Sequence, residues 1–302
     1  MEQRIDVGRG IELCYEELGN PADPTVLLVM GLGVQLLGWD ERFCRMLVDR
    51  GFHVIRFDNR DAGRSTKIDD LRPPTLQQLA LRRFSRRQYL LSDMATDAAE
   101  LLRRTGRAPA HVVGASMGGM IAQTMAAEHP DVVRSLVSIM SQTGSRLAGQ
   151  PALTSYRYLL KRAPDDREGF VEHTTKVFMA IGSPGFERDV EAVRARAAAS
   201  FDRGHDPRGT GRQLGAILAS GDRTAQLRTI TAPTLVIHGT KDRLVNVSGG
   251  KATAKAIPGA RLELIEGMGH DLPQGAWPQL VDLIASHAEA ADGRPRREAA
   301  AA

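Results

Sequence analysis

A serine at position 116 stands in the sequence Gly-Ala-Ser-Met-Gly, residues 114–118, between an apolar run and a helical pattern. The serine of a G-x-S-x-G motif can act as a nucleophile where a strand turns sharply into a helix, because that turn lifts its hydroxyl clear of the sheet. Gly114 and Gly118 leave room for the close approach of strand and helix that the turn needs. The residues therefore predict a nucleophilic Ser116 at the end of a strand.

A serine hydroxyl is a weak nucleophile at neutral pH, so it needs a general base, and the base needs an orienting acid. Asp242 follows the apolar run 234–238, and His270 follows the apolar run 261–265 in a loop rich in glycine. Both residues come after predicted strands, at the edge of the sheet where Ser116 is also expected. Their order along the chain is nucleophile, acid, base, which favours a Ser116–Asp242–His270 triad.

The other candidates for the acid and the base are less well situated. His238 closes a predicted strand, and we expect it to pack or to form a local hydrogen bond. Asp271 is adjacent to His270 and cannot easily curl back to the ring of its neighbour, while Glu266 is expected at a strand end. A surface role for Asp242, paired with a neighbouring cation, is the alternative for that residue.

Acyl transfer also needs N–H donors aimed at the oxyanion of the tetrahedral intermediate. The N–H of Met117 follows the serine and lies at a helix N-terminus, where the helix dipole favours negative charge. The second donor is expected in the glycine-rich loop after the run 25–30, where Gly31 and Gly33 permit unusual dihedral angles. We predict Leu32 as that donor, and an ordinary glycine turn is the alternative.

The apolar runs alternate with helical patterns through much of the chain, which predicts an α/β protein with a mostly parallel sheet and flanking helices. Residues 4–7 and 11–17 are expected to form an opening hairpin. The buried strands are expected at residues 25–30, 53–58, 111–114, 133–140, 234–238 and 261–265.

Residues 145–228 are helical in pattern and fall between two predicted strands, which indicates an inserted helical cap. The core would then comprise residues 1–144 and 229–290, followed by a flexible tail over 291–302. Within the cap, residues 201–212 contain three glycines and a proline and are expected to form a loop. Phe178 and Met179 in the cap, together with Gly31, are candidates for binding the substrate.

Two polar segments have no expected catalytic role. Residues 58–65 (DNRDAGRS) follow a strand, and Arg60 or Asp61 is expected to hold neighbouring loops. Residues 72–91 contain five arginines and no acid, interleaved with apolar side chains. Such a stretch can contact an anionic membrane surface weakly, and a solvated helix face is the alternative. The arginines concerned are Arg82, Arg83, Arg86 and Arg87.

The overall composition limits the classes of function. The chain has 302 residues, of which 42% are apolar and 25% charged, as in a globular protein with a sizeable core. The net charge of +4 is spread over interleaved acids and bases, which argues against nucleic-acid binding. Cys14 and Cys44 show neither metal-ligand spacing nor a disulfide framework. Because no apolar stretch is long enough for a signal peptide or a membrane span, a cytoplasmic location is expected.

Four motifs together resemble the α/β-hydrolase superfamily: GASMGG at 114–119, DNRDAGRS at 58–65, HGTKD at 238–242 and GMGH at 267–270. Two further motifs, GLG at 31–33 and GMGHDLP at 267–273, are most similar to those of actinobacterial serine carboxylesterases and lipase-like hydrolases. Anthracycline methylesterases are a similar branch. The resemblance implies a Ser–Asp–His ester hydrolase with the α/β-hydrolase fold and no cofactor. The family's loop usually begins His-Gly, whereas this one begins Met30-Gly31, a change that keeps the backbone donor.

The function expected from these residues is hydrolysis of a small-molecule carboxylic ester, thioester or lipid ester through an acyl-enzyme. A C–C bond hydrolase or a cofactor-free perhydrolase could use the same triad. An epoxide hydrolase or dehalogenase is disfavoured, because those enzymes need a carboxylate where Ser116 stands. A protein that keeps the fold as a non-catalytic receptor for a small ligand is the alternative from another class.

Overall fold

The computed structural model of the protein describes residues 1–155 and 163–294. Within these residues eight strands form one sheet in the order β1-β2-β4-β3-β5-β6-β7-β8. The pairs β1–β2 and β2–β4 are antiparallel, and the others are parallel. The strands are β1 Gln3–Asp6, β2 Glu12–Leu18, β3 Thr25–Val29, β4 His53–Phe57, β5 Ala110–Ala115, β6 Val133–Ile139, β7 Thr234–Gly239 and β8 Arg261–Ile265.

The α-helices of the described residues alternate with the strands in much of the chain. They are α1 Glu41–Asp49, α2 Leu76–Leu81, α3 Leu91–Arg104, α4 Met117–Glu128, α5 Arg167–Ile181, α6 Val190–Gly204, α7 Pro207–Ser220, α8 Thr224–Leu227, α9 Ser248–Ala256 and α10 Trp277–Ala291.

Alternate residues of the central strands face two separate cores, as the two-residue period of a strand requires. Val26 and Leu28 of β3 pack into one core together with buried side chains of α1 and α10. Leu27 and Val29 pack into the other core, against α3 and α4. The sheet is therefore covered on both faces, which explains why its central strands are rich in apolar residues. The predicted mostly parallel sheet with flanking helices is confirmed.

The insert, residues 145–228, contains α5 to α8 in its described part (145–155 and 163–228). The expected loop over residues 201–212 is wrong, because α6 runs to Gly204 and α7 begins at Pro207. Asp206 caps α7 by accepting a hydrogen bond from Arg208 N at 2.9 Å, and proline suits the first helical position. The glycines serve packing: a β-carbon on Gly209 would lie 2.2 Å from the carbonyl oxygen of Asp61.

The arginine-rich segment contains the short helix α2 and exposed apolar side chains, with Leu76 71% and Leu81 58% exposed. Its Arg87 forms an ion pair with Asp70, an acid that lies outside the segment. In the described parts of the chain no helix is long and apolar enough to cross a membrane. Of the predicted tail, residues 291–294 are described, and residues 295–302 lie outside the described residues.

Candidate active site

Ser116 lies on a strained turn between β5 and α4. Its φ of 57° and ψ of −119° are unusual for a residue with a side chain, and such strain is typical of a functional turn. A β-carbon on Gly114 would lie 2.1 Å from the carbonyl oxygen of Gly118, and one on Gly118 would lie 2.1 Å from that of Val29. Both glycines are therefore required by close backbone approach, as the sequence predicts.

The three residues of the predicted triad meet at the carboxyl edge of the sheet. The Nε2 atom of His270 lies 2.9 Å from Oγ of Ser116, and its Nδ1 atom lies 2.7 Å from Oδ2 of Asp242. An ionised carboxylate can only accept hydrogen bonds, so Nδ1 carries the ring proton. Nε2 then presents its lone pair to the serine hydroxyl, which is the arrangement that general-base activation requires.

Asp242 is held as an ionised, fixed acceptor. Its Oδ1 atom accepts from the N–H groups of Leu244 and Val245, both at 2.8 Å. Burial raises the pKa of Asp242, but the contacts with His270 and His238 outweigh burial and hold that pKa well below its usual range. The side chain thus keeps the negative charge that orients the imidazole of His270.

His238 has a local role, as expected from its position at the end of β7. Its Nε2 atom lies 2.8 Å from the carbonyl oxygen of Val245, and 3.5 Å from Oδ2 of Asp242. Since a carbonyl oxygen only accepts, His238 donates from Nε2. The ring therefore braces the loop that carries the acid and does not reach Ser116.

The two neighbouring acids do not contact the ring of His270. Asp271 accepts a hydrogen bond from the hydroxyl of Ser183 in the insert. Glu266 follows β8 and lies exposed, 3.8 Å from the ammonium group of Lys241. The geometry therefore leaves Asp242 as the acid beside the imidazole.

The loop after β3 comes close to the serine. A β-carbon on Gly31 would lie 3.2 Å from Cβ of Ser116 and 3.6 Å from its Oγ atom. No acceptor in the described residues takes a hydrogen bond from the N–H of Leu32. Met117 is the first residue of α4, so its N–H has no acceptor within the helix. Both predicted donors thus belong to segments that border Ser116.

Two side chains that the sequence did not single out fix this loop. Asn59 donates from Nδ2 to the carbonyl oxygen of Met30 at 2.9 Å. Gln213 of α7 accepts from the N–H of Gly33 at 2.8 Å and donates to the carbonyl oxygen of Arg60 at 2.7 Å. Gln213 is fully buried, and its contact with Arg60 is buried, whereas its contact with the exposed Gly33 is partly buried. The insert therefore reaches into the loop beside the nucleophile.

The segment 58–65 holds neighbouring elements, as predicted for Arg60 and Asp61. Arg60 forms a buried ion pair with Asp97 of α3, with Nε 2.6 Å from Oδ2. Asp61 pairs with the buried Arg212 of α7, with Oδ1 2.6 Å from Nη2. These two ion pairs tie the segment to the core helix α3 on one side and to the insert on the other.

A cavity of about 1140 Å³ opens in front of Ser116 and His270. Its walls come from the core loops and from helices α5, α6 and α7 of the insert. All three predicted substrate-binding residues, Gly31, Phe178 and Met179, line it. Helices α5 to α7 also contribute apolar side chains to the wall, among them Val177, Ile181, Val190, Val193 and Leu214.

The residues that sequence reasoning missed carry no local signal. Gln213 directly follows the stretch 201–212, whose glycines resembled a loop, and Asn59 lies in a segment already expected to be scaffolding. Their roles depend on which backbone groups the fold brings within 3 Å of them.

Comparisons with known proteins agree with this architecture. A model of the α/β hydrolase fold family matches residues 24–273. The rhodomycin D methylesterase DnrP of Streptomyces peucetius is 28% identical over 96% of this chain and 99% of its own. A pimeloyl-[acyl-carrier protein] methyl ester esterase of Chromobacterium violaceum is 30% identical over 56% of this chain and 65% of its own.

Solved structures show the same fold at low sequence identity. The enol-lactonase of Burkholderia xenovorans superimposes with a TM-score of 0.72 at 22% identity, covering 92% of this chain and 97% of its own. A 2-hydroxy-6-oxo-6-phenylhexa-2,4-dienoate hydrolase of a Rhodococcus species gives a TM-score of 0.73 at 19% identity, covering 95% and 98%. The resemblance drawn from four motifs is confirmed, and the chain belongs to the α/β-hydrolase fold family.

Proposed function

We propose that this protein is a serine esterase that hydrolyses a carboxylic ester through an acyl-enzyme. The observation that carries the proposal is the continuous hydrogen-bonded chain from Ser116 Oγ through the ring of His270 to Asp242. A nucleophile, a base and an orienting acid in contact are the arrangement that activates an alcohol at neutral pH. The relatives named as methyl ester esterases support an ester as the substrate.

In the first half of the reaction, Ser116 Oγ attacks the ester carbonyl carbon while its proton passes to Nε2 of His270. The carbonyl oxygen becomes an oxyanion, which the N–H groups of Leu32 and Met117 stabilise. When the tetrahedral intermediate collapses, the C–O bond to the alcohol breaks and His270 returns the proton to the leaving alcohol. The acyl group then remains on Ser116 as an ester.

In the second half, a water molecule takes the place of the alcohol. His270 Nε2 removes a proton from the water as its oxygen attacks the acyl carbon. The second tetrahedral intermediate releases Ser116, which regains its proton from His270, and the carboxylic acid leaves. Asp242 stabilises the imidazolium in both halves by accepting a hydrogen bond from its Nδ1–H group.

The substrate class proposed is the methyl ester, or another small-alcohol ester, of a bulky acid. Relatives named as methylesterases support the small alcohol. The cavity of about 1140 Å³ is at the upper end of ordinary ligand pockets, and its apolar lining from the insert suits a large apolar acyl part. Residues 145–228 then act as a cap that closes over the acyl group, with Phe178 and Met179 against it.

A fluorophosphonate probe tests the nucleophile directly. We expect the native protein to be labelled and Ser116→Ala to lose labelling, with circular dichroism unchanged. Ser141→Ala is the matched control, because this buried serine follows β6 at the same edge of the sheet and should leave labelling intact. Labelling that persists in Ser116→Ala would contradict Ser116 as the nucleophile. A folded native protein that resists the probe would contradict an esterase and favour a ligand receptor.

A panel of methyl esters tests the substrate class. We expect hydrolysis of methyl esters of polycyclic and long-chain acids to exceed hydrolysis of methyl acetate, because only bulky acyl groups fill the cavity. Release of acid and methanol would be followed together, which separates ester hydrolysis from C–C bond cleavage. Equal kcat/KM for small and bulky acids would refute the proposed role of the cap.

A further inference from the structure

Arg196 of α6 places a cation in the wall of the cavity. The side chain is half-buried, and its Cζ atom lies 5.6 Å from the centre of the Phe178 ring. No carboxylate of the described residues forms an ion pair with it, although other arginines of the cavity wall have such partners or backbone contacts. Within residues 1–155 and 163–294, Arg196 is therefore a cation of the cavity wall whose N–H groups have no protein acceptor.

The two carboxylates whose charges act on Arg196 are already engaged. Asp40 holds Arg42, with Oδ2 2.9 Å from Nη2, and Asp271 accepts from the hydroxyl of Ser183. Both acids act on Arg196 electrostatically without contacting it.

Burial acts against this cation and is not offset by a partner. Burial lowers the pKa of Arg196, which is the direction expected of a cation that has lost water without gaining an ion pair. Five more acids line the cavity. Asp61 and Asp206 are paired with Arg212. Glu187, Asp189 and Glu191 are exposed and therefore screened by water and salt. The half-buried guanidinium is thus the cation that a ligand inside the cavity would meet at short range.

We propose that Arg196, stacked on Phe178, binds a carboxylate on the acyl part of the substrate, so that the preferred ester carries a second acidic group. This inference rests on the proposed esterase function and names its substrate class. A guanidinium stacked on an aromatic ring keeps its N–H edge free, and that edge matches a carboxylate with two parallel hydrogen bonds. The apolar lining around it would strengthen the contact by excluding water.

Paired substrates test the inference. Half p-nitrophenyl esters of dicarboxylic acids, from succinate to sebacate, would be compared with p-nitrophenyl esters of chain-matched monocarboxylic acids. At one or more chain lengths, we expect the native enzyme to show a kcat/KM about tenfold higher for the anionic ester, in line with one charge-assisted contact. No preference for the anionic ester at any chain length would overturn the inference.

Two variants test whether Arg196 causes the preference for the anionic ester. Arg196→Gln should lower kcat/KM for the preferred half-ester about tenfold and for its neutral partner less than about twofold. Arg194→Gln, which removes an exposed arginine from the same helix, should leave both values unchanged. Equal losses on both esters in Arg196→Gln, with an unchanged melting temperature, would show a role that is not recognition of charge.

Ser116→Ala separates this inference from the proposed function. If Ser116→Ala abolishes hydrolysis of every ester but the anionic preference is absent, the esterase stands and the acid-binding role of Arg196 fails. If hydrolysis survives in Ser116→Ala, the proposed function fails first, whatever the preference among esters.

Discussion

The backbone N–H of Gly33 donates to Oε1 of Gln213 at 2.8 Å, which joins the loop beside the nucleophile to helix α7 of the insert. Thr210, one helical turn earlier, packs against the same glycine: a β-carbon on Gly33 would lie 2.6 Å from its Oγ1 atom. Gly33 has a φ of 66°, so its conformation also depends on having no side chain. The insert thus sets the shape of the loop that carries Leu32.

We expect Gln213→Leu to lower kcat by about tenfold to a hundredfold with little change in KM. The substitution leaves the N–H of Gly33 without its buried acceptor, so the Leu32 donor is no longer held toward the oxyanion. The loss should approach, without exceeding, the effect of deleting one oxyanion donor, about 10²–10³. Steady-state kinetics on a p-nitrophenyl ester would measure it.

Gln226→Leu is the matched control for this prediction. Gln226 lies on the surface helix α8 and donates to Glu128, far in sequence from the loop beside the nucleophile. Its kcat and KM should equal those of the native enzyme. A Gln213→Leu enzyme whose KM rises while kcat is unchanged would show that Gln213 acts on substrate binding and not on the oxyanion.

Asp242→Asn should reduce kcat about 10³–10⁴-fold, because the amide cannot hold the imidazole in the tautomer that accepts the serine proton. It should also change the pH dependence of stability. Since His270 and His238 outweigh burial and lower the pKa of Asp242, the ionised carboxylate stabilises the fold above the unfolded pKa of about 4. That contribution is lost as the pH falls through the lower folded pKa.

Urea unfolding of the native enzyme and of Asp242→Asn between neutral pH and about pH 3 would test this linkage. We expect the difference in free energy of unfolding, native minus variant, to shrink as the pH falls below about 4. A difference that is constant across this range would mean that the lowered pKa of Asp242 does not exist.

The buried ion pair between Arg212 and Asp61 joins the insert to the core. Arg212→Met would leave the buried carboxylate of Asp61 with Tyr89 and Ile68 as hydrogen-bond donors but without its cation. We expect a loss of about 3 kcal/mol in the free energy of unfolding. The measurement is a urea titration, with Arg208→Met, an exposed arginine of the same helix, as the control.

A second substitution distinguishes lost charge pairing from lost packing. Arg212→Met combined with Asp61→Asn removes the unpaired charge, and asparagine tolerates the φ of 65° that residue 61 adopts. The double variant should be more stable than Arg212→Met alone. Equal or lower stability would show that the arginine stabilises the fold by packing.

Contact of the arginine-rich segment with an anionic membrane surface stays a prediction. The exposed side chains of Leu76 and Leu81 support it, since apolar and basic groups then share one surface. We expect flotation with phosphatidylserine vesicles and none with phosphatidylcholine vesicles. Replacing Arg82, Arg83, Arg86 and Arg87 by glutamine should weaken binding more than tenfold. No binding at low salt would exclude the contact.

Much of the sheet and the candidate triad could be predicted from the sequence. Apolar runs bounded by glycine and proline locate the strands to within a residue or two, because a strand buried on both faces is rich in apolar residues. The order of Ser116, Asp242 and His270, each just after a strand, followed from the same pattern. All of these signals are local, and parallel pairing brings the strand ends together without further information.

Only the tertiary structure decided how the insert meets the site. The glycines of residues 201–212 resembled a loop, yet Gly209 belongs to a helix that packs directly on the carbonyl of Asp61. The contact of Gln213 with Gly33 and the position of Arg196 in the cavity likewise join segments distant in sequence. A polar side chain finds its partner through the packing of whole helices, and no local pattern of residues encodes that packing.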